Sequence, residues 1–69
     1  MYNVFLVKGD ESKEFYCVID GAVPESIVSC GFATILERTG CQKLFIRKFT
    51  SVHVIVEWYW TVSTGWIEI

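Results

Sequence analysis

Residues 51–62, SVHVIVEWYWTV, alternate in character along their whole length. The even positions, Val52, Val54, Val56, Trp58, Trp60 and Val62, are all apolar. The odd positions, Ser51, His53, Ile55, Glu57, Tyr59 and Thr61, are mostly polar or amphipathic. A strand sends successive side chains to opposite faces, so the stretch predicts one long strand with a buried face and a wetter one. A chain that contains it is organised around a sheet with two unlike faces.

The 69 residues make one domain, 1–69, and at that size a single core is marginal. The chain compensates with an unusually apolar composition, 52% hydrophobic, including three Trp, three Tyr and five Phe. So small a body cannot bury that whole aromatic load. The excess predicts a homo-oligomer, most simply a dimer, or a protein partner that covers one sheet face.

Cys17, Cys30 and Cys41 are odd in number and far apart, which argues against a secreted disulfide framework and for a reducing, cytoplasmic setting. The segment MYNVF lacks the basic start and small-residue cleavage site of a signal peptide. No apolar run approaches the roughly 20 residues that cross a bilayer, so no membrane partner is expected. The net charge of −2 is unlike that of a general nucleic-acid binder. The charge is uneven, however: Arg38, Lys43, Arg47 and Lys48 fall in a stretch, 38–56, that holds no acid.

Tyr2–Lys8 and Glu14–Asp20 are β-prone runs around the polar turn Gly9–Lys13, and they predict a hairpin. In 24–39 the pairs Ile27/Val28, Gly31/Phe32 and Ile35/Leu36 recur every four residues along one half of a helix. Pro24 suits a first turn, Glu25 the positive end of the dipole and Gly40 the position after the last turn. Val, Ile, Thr, Ser and a central Gly are poor helix formers, and the even residues would also make a strand. Start, stop and period together favour the helix. Gly31 is expected to let it lie close to the sheet. Cys41–Phe49 predicts a strand, Thr50-Ser51 a turn, Ser63–Gly65 another turn and Trp66–Ile69 a short last strand. The order ββαβββ implies an α+β fold, an antiparallel sheet of about five strands with one helix on one face. The alternative is an all-β small barrel or meander.

The helix covers one face, expected to carry Val52, Val54, Val56, Trp58 and Trp60. The register of 41–49 against 51–62 then decides the rest, because a one-residue slip exchanges the faces. Burying Arg47 unpaired is costly, so Leu44 and Ile46 are assigned to the core face. Phe45, Arg47, Phe49, Ile55, Glu57 and Tyr59 then share the open face with Lys43 and His53. Aromatics mixed with charges of both signs make these six the candidate interface.

No catalytic constellation stands out. The three cysteines and His53 match a zinc inventory but not its spacing, since no two ligands are local. A Cys41–His53 nucleophile pair would need surroundings that lower the thiol pKa. The five glycines are dispersed, and no phosphate loop is present. No cofactor is expected. The basic run with Phe45 and Phe49 interleaved gives Lys43, Arg47 and Lys48 as candidate phosphate contacts, with rings to stack on bases. The leading expectation is a small non-enzymatic module that self-associates through a sheet face or edge. An accessory or inhibitor protein of a mobile element is one form of this, suggested only by small size, acidity and the absence of a catalytic constellation. The alternatives are a nucleic-acid or phosphate-ligand binder using 43–49, and an enzyme assembled between subunits around His53.

Overall fold

A computed structural model describes residues 1–69. Five strands form one antiparallel sheet: β1 (Tyr2–Val7), β2 (Lys13–Ile19), β3 (Lys43–Phe49), β4 (Ile55–Thr61) and β5 (Gly65–Glu68). Their spatial order is β2-β1-β3-β4-β5, an open sheet and not a barrel. β1 is flanked on both sides, by β2 and by β3. The chain leaves the β2 edge, crosses one face through its helical segment and re-enters the sheet as β3. This is the α+β arrangement with one helical layer, and the order ββαβββ holds.

The helical segment comes in two pieces, α1 (Glu25–Val28) and α2 (Phe32–Thr39), joined by a 3₁₀ turn at Ser29–Gly31. The side chains at the joint explain the tightening. Ser29 Oγ donates to the Glu25 carbonyl and Cys30 Sγ to the Ser26 carbonyl, so hydroxyl and thiol compete for the acceptors of the helical ladder. Gly40 ends α2 with φ +74°, its N–H donating to the Leu36 carbonyl at 2.9 Å. That left-handed conformation is cheap only for glycine. Gly31 does not serve the close approach expected of it. It is exposed, and a Cβ there would meet nothing within 4 Å. The actual contact line is Val28, Phe32 and Leu36, all buried, whereas Ile27 points outward.

That stripe rests on Tyr2, Val4 and Leu6 of β1, Leu44 and Ile46 of β3, and Trp58 and Trp60 of β4. Phe32 sits edge-on to Trp60, with ring centroids 5.3 Å apart. Trp66 closes the layer against Tyr2, Phe32 and Trp58, and its indole N–H is buried without a hydrogen-bond partner.

The strand expected over 51–62 is shorter, starting at Ile55. Residues 50–54 form a loop in which the Thr50 and Ser51 amides and the Thr50 hydroxyl all donate to the Val54 carbonyl. A local turn closed on one carbonyl by two backbone amides and one hydroxyl replaces the sheet ladder there. Val52 is therefore 90% exposed and Val54 half exposed, and neither lies beneath the helix. The faces of the remainder are unaffected, because the loop still holds an odd number of residues. Leu44 opposes Trp60, Ile46 opposes Trp58, and Arg47 opposes Glu57 on the other side. No helix is long and apolar enough to cross a membrane.

Candidate interaction face

The sheet face away from the helix is uncovered. Pairing across the four ladders sets Phe15, Phe5, Phe45, Tyr59 and Ile67 side by side in one row that crosses all five strands. The rings touch in sequence: Phe5 and Phe15 at 5.7 Å, Phe5 and Phe45 at 5.7 Å, Phe45 and Tyr59 at 5.6 Å between centroids. Tilted and edge-on geometries of this kind are favoured by the ring quadrupoles.

Cations lie on the row. Lys13 Nζ is 5.0 Å from the Phe45 centroid, Lys43 Nζ is 4.4 Å from that of Tyr59, and the Arg47 guanidinium is 5.6 Å from Phe45. Long cationic side chains lay their stems on apolar surface and keep their heads wet, with a further gain from the ring face. Phe45, at the centre, is left 4% exposed. The ends of the row stay open, Phe15 at 56% and Ile67 at 50% exposure. Beside the row, Arg47 faces Glu57 across the ladder, with Nε and Nη2 each 2.9 Å from Oε2. Phe49 and Ile55 oppose each other at the hairpin end and are both half exposed.

The six residues of the expected interface therefore share one face, with Phe45 enclosed by its neighbours. The expected phosphate contacts do not share it. Lys43 and Arg47 are on the open face, and Lys43 also lies 3.6 Å from Glu11. Lys48 is on the helix side, its amine 4.6 Å from the Tyr2 ring and 3.4 Å from the Tyr2 hydroxyl.

Sequence reading missed Phe5, Phe15, Val18 and Ile67 as members of this face. Phe15 and Val18 differ in parity, so strict alternation separates them. An irregularity opposite Val4/Phe5 leaves Tyr16 unpaired and brings both to the open side.

Elsewhere the chemistry is sparse. Cys41 precedes β3 and His53 follows it, so about 20 Å of strand separates them and they form no nucleophile pair. No three His, Cys, Asp or Glu side chains gather into a metal site. Partial burial pushes the Cys17 thiol above its ordinary pKa, which disfavours the thiolate a nucleophile needs. An open cleft of about 1360 Å³ lies at the end of the sheet between the turns, lined in part by Glu11, Glu14, Glu37 and Cys41. Two of its carboxylates are already paired, Glu14 with Lys8 at 3.3 Å and Glu11 with Lys43. No family model matches the chain, and neither a curated protein nor a solved structure matches it.

Proposed function

We propose that the protein is a small non-enzymatic interaction module that self-associates through the open face of its sheet. The observation that carries this reading is the aromatic row, which crosses every strand with no element of the chain laid over it. A sheet buries an apolar face against another layer, and here one face has its layer and the other has none. Both edges are poorer candidates. The β2 edge carries the irregularity at Tyr16, which bends an edge away from pairing, and β5 has only four residues.

The nucleic-acid reading is the weaker one. A phosphate would have to draw Lys43 and Arg47 from the carboxylates that already face them, Glu11 at 3.6 Å and Glu57 at 2.9 Å. The third cation, Lys48, is on the other face.

Light scattering over a concentration series tests the proposal. A mass rising from the 7.9 kDa monomer toward twice that value is expected. A monomer at every concentration overturns it. Oligonucleotide binding with a steep salt dependence, lost when Lys43 and Arg47 become Ala, would favour the second reading.

A further inference from the structure

We infer that the open face pairs with a second copy about a two-fold axis running along the strands between β3 and β4, so that Arg47 of each copy meets Glu57 of the other. This inference rests on the self-association proposed above and adds its geometry.

The argument starts from where the charges sit. β3 is the middle strand of five, and on the open face it carries Lys43 and Arg47 with no acid. A two-fold axis along β3 would lay that strand on itself. Arg47 would face Arg47 and Lys43 would face Lys43, and such like-charge juxtaposition opposes docking. Moving the axis half a strand spacing toward β4 removes the conflict. Because Arg47 and Glu57 are direct partners across the ladder, the rotation carries each onto the position of the other. Arg47 then lies over the second copy's Glu57 and the converse, giving a four-charge cluster of alternating sign. The same rotation sets the position of Phe45 over that of Tyr59, with the capping cation stems between the rings, and Phe49 over Ile55; both pairs are direct ladder partners. One strand further out it sets Phe5 over Ile67, since both flank that row. Every contact is isologous, as a closed dimer requires.

The size of the patch fits a reversible association. Four strands at about 4.8 Å spacing, six residues long at about 3.3 Å each, make a patch roughly 20 Å square, or roughly 800 Å² over two copies before side-chain relief is counted. That is below the roughly 1,200 Å² at which stable specific interfaces begin, in the range of weak and transient ones. The axis leaves β2 outside, so Val18, 45% exposed on the same face, is a non-participant. Ile67, 50% exposed on β5, is a participant.

The test is equilibrium sedimentation of the full chain, with circular dichroism to confirm that each variant is folded. Arg47→Glu alone sets acid against acid across the interface, and Glu57→Arg alone sets base against base. Each is expected to weaken self-association by about tenfold or more. An equimolar mixture of the two variants restores the dimer, because an all-acidic cluster then meets an all-basic one. Ile67→Arg weakens the dimer by about tenfold or more, while Val18→Arg stays within about twofold of the unchanged chain. No recovery on mixing, or equal damage from Val18→Arg and Ile67→Arg, overturns the inference while leaving self-association itself standing. A monomeric unchanged chain overturns both. Should either charge variant fail to fold, the Ile67 and Val18 pair, both at exposed positions, decides alone.

Discussion

Phe32 shows what a single side chain carries in a domain this small. It is fully buried, at the centre of the helix stripe, against the rings of Trp60 and Trp66. Truncation to Ala opens a cavity between the helix and the sheet and costs about 3–5 kcal/mol. Domains hold only about 5–15 kcal/mol in total, and a short chain sits low in that range. Phe32→Ala is therefore expected to be largely unfolded in dilute buffer, while Phe32→Leu keeps a measurable urea transition. A mid-range urea midpoint for the Ala variant would contradict this account of the core. Asp10 acts on a smaller scale. Its carboxylate accepts from the Ser12 hydroxyl at 2.6 Å and the Ser12 amide at 3.0 Å, and these bonds, the hydroxyl first, hold its pKa below the ordinary 3.8. A depressed carboxyl contributes its stabilisation above the unfolded pKa and loses it as pH falls through the lower folded value. The Ser12 amide resonance should thus titrate with a midpoint below 3.8, and Asp10→Asn should abolish that titration. A midpoint at or above 3.8 would remove the bonds from the account.

At the scale of the element, the two helix glycines make opposite predictions. Gly31 has φ −93° and open space where a Cβ would stand, so Gly31→Ala removes only unfolded-state freedom. It should raise the unfolding free energy by about 0.5–1 kcal/mol. Gly40 has equal space but φ +74°, so Gly40→Ala should lower it by about 1 kcal/mol. Chemical denaturation of the two variants reads both signs, and a shared sign would show that φ is not what distinguishes them. The same elements show how much of the fold was legible. Steps of four from Val28 to Leu36, with Gly40 beyond, were enough to find the helix, because period and stop signal are local properties. The face assignment of β3 and β4 was legible because one of the two registers would bury Arg47 at a cost and the other would not. The start of β4 was not, since the alternation of Val52 and Val54 continues past the point where the Thr50 and Ser51 amides turn to the Val54 carbonyl. The aromatic row was legible in its β3 and β4 members and hidden in the others. Nothing in EFYCVID announces that Tyr16 drops out of register, and nothing in the chain's order announces that β1 lies between β2 and β3.

For the whole molecule, the two faces of the sheet pose one question of stability. The helix face is a closed aromatic and aliphatic core. The other face holds Phe45 under its own cations but leaves Phe15, Phe49, Ile55 and Ile67 half exposed. If a second copy covers that face, the folded state is favoured by association, and unfolding becomes a matter of concentration. A hundredfold increase in protein above the dimer's Kd adds about 2.7 kcal/mol per dimer, half of it per chain. For a chain of this length that corresponds to a rise in Tm of about 5–10 °C. Val18→Arg should keep that dependence, because β2 lies outside the proposed contact. Ile67→Arg should flatten it and lower the Tm at high concentration toward the dilute value. A Tm independent of concentration in the unchanged chain would mean that the cations over the aromatic row suffice to keep the face in water, and that the protein folds as a lone monomer with that face exposed.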